Sequence, residues 1–224
     1  MIHQAPIAII QFPGSNCEQD CIDALALLNI STQQIWHTET TIPRHIKGLI
    51  LPGGFSYGDY LRGGALAALS PISSAIRKFA EQGKPILGIC NGFQILTELG
   101  LLPGTLLKNN QQTFTCQVSE LQTNRSTTKL NQFFQNQESI RLPIAHGEGK
   151  YHCSKSELNS IIKNNQDILR YSNNPNGSIE DIAGITNAQG NIMGMMPHPE
   201  RAMGAMQTSQ DGKIILEGYV QSCL

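Results

Sequence analysis

Residues 85–100 of this chain read PILGICNGFQILTELG, and this stretch decides the fold. Its first part is a short apolar run of strand length, and its second part has apolar residues at helical spacing before a closing glycine. The sequence therefore predicts a strand over Pro85–Ile89 and a helix over Asn91–Leu99, with Gly-x-Cys-x-Gly at the turn between them. A strand that passes through such a turn into a helix is typical of the nucleophile elbow of α/β enzymes.

The same alternation of strand and helix extends toward the N-terminus. Apolar runs that end at glycine or proline predict strands, and helical spacing predicts the helices between them. The elements predicted here are strands over Ile7–Gln11, Gln34–Trp36 and Lys47–Leu51 and helices over Cys17–Leu28 and Pro71–Glu81. Because strands alternate with helices, we predict an α/β fold whose open, mostly parallel sheet is covered by helices on both faces.

The C-terminal half has more strands than helices. Its predicted strands are Thr113–Leu121, Ser139–Ile144, Ile168–Tyr171, Ile179–Thr186 and Ile192–Met196, and its predicted helices are Leu158–Asn165 and Asp211–Val220. Asn176-Gly177 lies between two of these strands and is a hairpin turn signal. Residues 108–136 are rich in Gln, Asn and Thr and give the weakest signal. No composition shift divides the chain, so a single domain over residues 1–224 is predicted.

Composition excludes several classes of function. The chain has 224 residues, 40% of them hydrophobic and 15% charged, which favours a folded core over disorder. Its net charge of -1 argues against nucleic acid or an anionic membrane as a partner. The apolar run Ile7–Ile10 is too short for a signal peptide or a membrane span. The six scattered cysteines are expected to be free thiols, and we predict a reducing, cytoplasmic location.

Cys90 combines two features of a reactive thiol. The helix predicted to begin at Asn91 aims its free N–H groups and positive dipole end at the sulfur, which favours the nucleophilic thiolate. The backbone N–H of Asn91 is also placed to stabilise an oxyanion. A buried structural cysteine is the alternative, but strand, glycines and helix in register favour the nucleophile. Of the six cysteines, only Cys90 is expected to have both a helix N-terminus and a base beside it.

His198, in the segment Pro197-His198-Pro199-Glu200, is the candidate base. It precedes a proline, which favours extended backbone. In an extended segment positions i and i+2 face the same side, so His198 and Glu200 should project together. The carboxylate could then hold one ring nitrogen while the other faces the thiol. A proline-rich surface turn is the alternative.

Three glycine-rich loops carry polar or aromatic side chains. Gly53–Arg62 reads GGFSYGDYLR and follows a predicted strand, so its backbone could approach a ligand closely. An N–H near Gly54 or Phe55 could complete an oxyanion hole. The other two loops are Ala145–Tyr151 and Asn174–Ser178. A plain surface turn is the alternative for the first loop.

Cys-x-Gly-x-Gln at Cys90–Gln94, followed late in the chain by His-Pro-Glu at His198–Glu200, resembles the class I, or triad, glutamine amidotransferases. The resemblance implies a flavodoxin-like α/β fold. It also implies that Cys90 is the nucleophile, His198 the base and then the acid, and Glu200 the residue that orients His198. The implied reaction forms a γ-glutamyl thioester and releases ammonia from glutamine.

The glycine-rich loops narrow this resemblance to glutaminase subunits that serve a synthetase of purine biosynthesis. The substrate-binding residues that it implies are Gly53, Gly54, Phe55, Asn91, Gln94 and His146. It implies no cofactor or metal in this chain, with ATP and Mg²⁺ expected in the synthetase. The implied partners are that synthetase subunit and a small accessory subunit of the same complex.

Three alternatives stay open. A glutaminase subunit for a different acceptor, in histidine or folate biosynthesis, would share the triad but not the Gly53–Arg62 loop. A thiol hydrolase on the same fold would keep the elbow without His-Pro-Glu. A glutamine-binding regulatory subunit would lack an intact triad. The acceptor itself is implied by resemblance alone, because no residue pattern in the chain identifies it.

Overall fold

The structure, a computed structural model, describes residues 3–124, 138–204, 207 and 209–223. Its strands are β1 (His3–Gln11), β2 (Ile30–Trp36), β3 (Gly48–Leu51), β4 (Ile86–Ile89), β5 (Thr105–Leu107), β6 (Thr115–Thr123), β7 (Ser139–His146), β8 (Lys150–His152), β9 (Leu169–Tyr171), β10 (Ile182–Thr186) and β11 (Ile192–Met195). Its helices are α1 (Glu18–Leu27), α2 (Ser73–Glu81), α3 (Asn91–Glu98), α4 (Lys155–Lys163) and α5 (Gly212–Ser222). No helix in these residues is long and apolar enough to cross a membrane.

The main sheet has nine strands in the order β2-β1-β3-β4-β11-β10-β9-β6-β7. The five strands from β2 to β11 are parallel, and the remaining pairs are antiparallel. Every residue of β3, β4 and β11 is buried. Since alternate side chains of a strand face opposite sides, both faces of the parallel region are covered. The predicted α/β fold with an open, mostly parallel sheet is confirmed.

Several boundaries differ from the prediction: β2, for example, begins at Ile30 rather than Gln34, and α4 spans Lys155–Lys163 rather than Leu158–Asn165. Helix α1 begins at Glu18, so Cys17 is its N-cap residue rather than its first helical residue. Ile179–Asp181 forms a 3-10 turn, and the strand predicted over Ile179–Thr186 begins only at Ile182. Strands β5 and β8, which form a separate antiparallel pair, were not predicted. Three-residue strands carry too short an alternation to be recognised, and their pairing joins segments far apart in the chain.

The hairpin predicted around Asn176-Gly177 is confirmed in its pairing, because β9 and β10 are antiparallel neighbours. Its loop is longer than a two-residue turn and contains the Ile179–Asp181 turn. Part of the Gln-, Asn- and Thr-rich stretch falls outside the described residues, namely 125–136. Its described part includes Asn109, which is buried. The single domain remains a prediction.

Candidate active site

Cys90 lies at the turn between β4 and α3, as the sequence predicts. Its backbone has φ 50° and ψ -104°, a conformation that a non-glycine residue adopts only when its surroundings enforce it. A Cβ at Gly88 would lie 2.7 Å from the carbonyl oxygen of Gly92, and a Cβ at Gly92 would collide with the carbonyl oxygen of Leu51. The glycines on both sides of the cysteine are therefore required, and at Gly92 the reason is the neighbouring strand β3.

Three parallel strands bring the candidate residues to one edge of the sheet. Strand β4 pairs with β3 on one side and with β11 on the other. Cys90 follows β4, the loop that starts at Gly53 follows β3, and His198 follows β11. Because parallel strands end at the same edge, these segments converge there, where open α/β sheets bind ligands. The Cys90 sulfur also lies 3.7 Å from the carbonyl oxygen of Ala145 on β7.

His198 and Glu200 form the contact that the sequence predicts. His198 Nδ1 and Glu200 Oε1 are 2.6 Å apart, with His198 1% and Glu200 3% exposed. The predicted reason for this contact, an extended backbone from His198 to Glu200, is only partly correct. His198 has extended backbone, but Pro199–Arg201 form a 3-10 turn, so the two side chains meet across a tight turn.

Electrostatics at His198 favour the imidazolium. Burial alone lowers the pKa of His198, but the charge of Glu200 and contacts with the thiols of Cys17 and Cys90 outweigh it and raise the pKa well above its ordinary value. His198 Nε2 makes no hydrogen bond within the described residues. The ring is thus oriented by a carboxylate on one side and lies close to thiols, which is the arrangement of a general base for a nucleophilic sulfur.

Cys17 is a second thiol at this site, and the sequence analysis missed it. Its sulfur, one nitrogen of His198 and one carboxylate oxygen of Glu200 all lie within 4.8 Å of one another. Arg201 Nη2 lies 3.1 Å from the Cys17 sulfur. The expectation that only Cys90 has a helix N-terminus and a base is therefore wrong, because Cys17 caps α1 and contacts His198.

The loop after β3 lies directly against the histidine. A Cβ at Gly53 would lie 2.8 Å from His198 Cε1, so no side chain fits there. Phe55 N–H donates to the carbonyl oxygen of Gly14 at 2.9 Å. Of the two N–H groups suggested for an oxyanion hole in this loop, that of Phe55 is therefore engaged, and that of Gly54 is the remaining candidate. Gly54 has φ 148°, and a Cβ there would approach the Ser15 backbone to 2.8 Å.

Asn91 and Gln94 are buried in the first turns of α3, where they belong to one network of polar groups. Asn91 Nδ2 donates to Gln94 Oε1 at 2.8 Å, and Gln94 Nε2 donates to the carbonyl oxygen of Glu148 at 2.8 Å. Asn91 Oδ1 accepts from Ser56 N–H, which ties the helix to the Gly53–Arg62 loop. The structure thus places both predicted residues at the site, with the Gln94 amide bonded within the protein.

Two carboxylates beside this network were not singled out from the sequence. Glu148 Oε2 accepts from Gly63 N–H at 2.9 Å. Burial, followed by the negative charge of Glu148, raises the pKa of Asp59 to about 6. Asp59 Oδ1 lies 3.5 Å from Asn91 Nδ2. The polar network next to Cys90 therefore has an acidic side.

His146 lies at the end of β7 and is held by Asn109. Its Nδ1 is 3.2 Å from Asn109 Oδ1, and the Asn109 amide also donates to the backbone carbonyl of His146. Burial, together with the charge of His198, lowers the pKa of His146 to about 4. His146 is thus a neutral imidazole near pH 7. Asn109 was missed because a lone asparagine in a polar stretch carries no periodic signal.

We expect the low pKa of His146 to make the protein acid-sensitive. In the unfolded chain His146 takes up a proton near pH 6.5, whereas in the folded protein it does so only near pH 4. Because the unfolded state binds more protons between these values, the free energy of unfolding falls as the pH falls from about 6.5 to about 4. Between pH 7.5 and 4.5, protonation linked to His146 should lower the free energy of unfolding by about 2.5 kcal/mol. Urea unfolding should show that His146→Gln removes about this much of the pH dependence.

The matched control for that measurement is His45→Gln, because His45 is exposed and hydrogen-bonds to the Gln33 side chain. Its unfolding free energy should follow the wild-type pH profile. Equal pH profiles for His146→Gln and the wild type would show that burial of His146 does not limit acid stability.

Comparison with known proteins agrees with this geometry. Residues 4–217 match the model of the CobB/CobQ-like glutamine amidotransferase domain. The chain is 45% identical over 215 residues to the phosphoribosylformylglycinamidine synthase subunit PurQ of Staphylococcus saprophyticus, which covers 96% of each protein. It is similar to a chain in the structure of PurLQS from Thermotoga maritima, with a TM-score of 0.88, 40% identity and coverage of 97% of this chain and 98% of that chain. A glutamine amidotransferase from the same organism shares the fold, with a TM-score of 0.60 and 14% identity over 98% of this chain and 84% of that chain.

Proposed function

Because the chain belongs to the CobB/CobQ-like glutamine amidotransferase family, we propose that it is the glutaminase subunit of phosphoribosylformylglycinamidine synthase. In this role it hydrolyses glutamine to glutamate and ammonia. The ammonia passes to a synthetase subunit that uses ATP to convert formylglycinamide ribonucleotide to formylglycinamidine ribonucleotide, in cytoplasmic purine biosynthesis. The observation that carries the proposal is a thiol on a strained elbow, next to a histidine whose other side is held by a buried carboxylate.

The reaction follows from the arrangement of these three side chains. The Cys90 sulfur attacks the side-chain amide carbon of glutamine, and His198 transfers a proton to the leaving nitrogen as the C–N bond breaks. Ammonia departs and a γ-glutamyl thioester remains. Water then attacks the thioester while His198 accepts its proton, and as the C–S bond breaks this proton returns to the departing sulfur, which yields glutamate and regenerates the thiol. Glu200 orients the ring and stabilises the imidazolium in both steps.

The oxyanion of each tetrahedral intermediate needs N–H donors on the side of the carbonyl oxygen. Asn91 is the first residue of α3, where backbone N–H groups have no acceptor within the helix. Gly54 supplies the second candidate N–H, since Phe55 N–H is already bonded to Gly14. We assign the remaining contacts to glutamine to Gly53, Phe55, Gln94 and His146, the residues that the resemblance implies.

The partners follow from the relatives rather than from this chain alone. The relative named PurQ is a subunit of the synthase, and the Thermotoga maritima structure is named for the PurLQS complex. We propose a synthetase subunit as the direct partner and a small accessory subunit as a further component. ATP and Mg²⁺ belong to the synthetase in this scheme, and no cofactor is assigned to this chain.

A labelling experiment tests this function against the glutaminases of other pathways. Glutamine carrying ¹⁵N in its amide is incubated with the chain, the synthetase, the accessory subunit, ATP and formylglycinamide ribonucleotide. We expect the label in formylglycinamidine ribonucleotide. Label that appears only with the synthetase and acceptor of another pathway would reassign the subunit. No release of labelled ammonia under any condition would indicate a binding subunit instead of an enzyme.

Glutaminase activity is expected to be low in the isolated chain and to rise in the complex. Cys90 is only 5% exposed and His198 1%, so little of either side chain is open to solvent in the isolated chain. The Gly53–Arg62 loop is suited to report docking. Its Tyr60 and Leu61 are 75% and 85% exposed, and Leu61 has a left-handed backbone with φ 70°. Aromatic side chains of this kind are enriched at interfaces, and loop motion commonly gates active sites.

The rates of the isolated chain and of the complex with ATP and acceptor should differ by at least about tenfold, which is about 1.4 kcal/mol in activation free energy. Asparagine tolerates the left-handed backbone, so Leu61→Asn should keep the loop conformation and reduce the increase in glutaminase rate on docking. Leu27→Asn is the matched control, because Leu27 is 67% exposed on α1 and lies outside the loop. Equal rates for the free chain and the complex would contradict the coupling and leave a simple glutaminase.

A further inference from the structure

The proposed reaction uses Cys90, His198 and Glu200 and leaves Cys17 without a role. Cys17 nevertheless lies in a closed cluster of donors, because its sulfur, one nitrogen of His198 and one carboxylate oxygen of Glu200 lie within 4.8 Å of one another and all three residues are buried. A thiol, an imidazole and a carboxylate are the ligand types that zinc binds. Zinc bonds of about 2.0–2.3 Å place tetrahedral ligands roughly 3.5 Å apart, so small side-chain rotations suffice to close the cluster.

Two polar atoms of this cluster could accept a further hydrogen bond or bind an ion. Glu200 Oε2 is buried and makes no hydrogen bond within the described residues, and neither does His198 Nε2 apart from the contacts of the ring with the Cys17 and Cys90 thiols. Buried polar atoms normally have a partner, and one without a partner often marks a place for a ligand or an ion. This observation is independent of the spacing of the three side chains.

The local charge also favours a cation. Arg201 Nη2 lies 3.1 Å from the Cys17 sulfur, and the Cys17 thiol donates to Asn16 Oδ1 at 3.1 Å. Arg201 is itself paired with Asp20, with Nε 3.0 Å from Asp20 Oδ2. In the metal-bound form, with Cys17 as the thiolate and His198 as the neutral ring, the carboxylates of Glu200 and Asp20 and the sulfur outnumber the single guanidinium charge by two.

We propose that Cys17, His198 and Glu200 form a binding site for a thiophilic divalent cation of the zinc type. The ion takes one donor atom from each residue, with a fourth position left for water. Its binding displaces to solvent the proton on the coordinating nitrogen of His198 and any proton on the Cys17 sulfur. Because the ion occupies the proposed base, its binding inhibits the glutaminase. The inhibition rests on the proposed function, whereas the binding does not.

Cobalt(II) is the probe for binding, because thiolate ligation gives a charge-transfer absorption band. The measurement uses Cys90→Ala protein freed of metal by a chelator, so that the nucleophile cannot supply the sulfur. We expect one equivalent of Co²⁺ to bind with a thiolate band. Adding Cys17→Ser should abolish the band and weaken binding at least tenfold. Adding Cys153→Ser, at another buried cysteine, should change neither.

Binding without a thiolate band, or a band that survives Cys17→Ser, would overturn the site. If Cys17→Ser does not fold, zinc X-ray absorption of the Cys90→Ala protein decides the question. Sulfur in the first shell supports the site, and a shell of nitrogen and oxygen alone refutes it.

A separate assay tests inhibition. Zn²⁺ should reversibly inhibit the wild-type glutaminase, and Cys17→Ser should raise the half-inhibitory Zn²⁺ concentration at least tenfold relative to its own metal-free rate. An unchanged half-inhibitory concentration would overturn the inhibitory role of the site. A chain that binds Co²⁺ through Cys17 but never hydrolyses glutamine would instead contradict the proposed function.

Discussion

Cys90→Ala protein is expected to lose glutamine hydrolysis by at least about 10³-fold, because no thioester can form without the sulfur. The sulfur lies on an elbow at the edge of the sheet, and alanine keeps the Cβ, so the fold should be retained. Ammonia-dependent synthesis by the reconstituted complex should continue, since free ammonia bypasses the thioester. Steady-state rates with glutamine and with ammonium salts, measured on the same complex, separate these two effects.

The thiol that reacts can also be identified directly. An electrophilic glutamine analogue should label Cys90, as peptide mass mapping would show, and should spare the exposed Cys116. Cys17 is the informative control, because it is the other thiol in contact with His198. Substantial glutaminase activity in Cys90→Ala, or labelling of Cys17 in place of Cys90, would move the nucleophile to Cys17.

Replacement of His198 is expected to have the second largest effect, with His198→Ala lowering the glutaminase rate by about 10³-fold or more. His198 transfers a proton in both steps of the reaction, and its partner Glu200 would be left buried without the imidazolium that compensates its charge. Glu200→Gln should lose less, by roughly 10²-fold, because it removes only the orientation and stabilisation of the ring.

The two variants differ in pH dependence as well as in rate. The charge of Glu200 is the main factor that raises the pKa of His198, so the glutaminase pH profile of Glu200→Gln should shift to lower pH. A thermal unfolding curve for each variant controls for loss of structure. Full activity in His198→Ala would assign the base elsewhere, with His146 as the next candidate.

The elbow and the acid–base pair could both be predicted from the sequence because each depends on local constraints. Gly88 and Gly92 leave room where a Cβ would clash, and the short segment from His198 to Glu200 brings ring and carboxylate together. Cys90–Gln94 with His198–Glu200 indicated the family, because each motif lies within one short segment of the chain.

Other parts of the site could not be predicted, because they depend on segments far apart in the chain. Asn109, which follows β5, hydrogen-bonds to His146 at the end of β7, and neither segment has a periodic pattern that predicts the contact. Glu148 contacts Gly63 through a single hydrogen bond. Phe55 N–H was a plausible oxyanion donor until the structure paired it with Gly14. Such pairings are decided by which loops meet at the sheet edge, and local sequence does not contain that information.

The sequence by itself determined the α/β class, the elbow at Cys90 and the contact of His198 with Glu200, since strand periodicity, tight-turn glycines and proline-restricted backbone act over a few residues. Only the tertiary structure decided that Cys17 joins His198 and Glu200. Cys17 follows β1, and His198 follows β11 about 180 residues later. Their contact depends on two features of the fold: the sheet places β1 two strands from β4, and α1 packs against the turn at Pro199–Arg201. Contacts of that separation arise from the packing of whole elements, which no local pattern records.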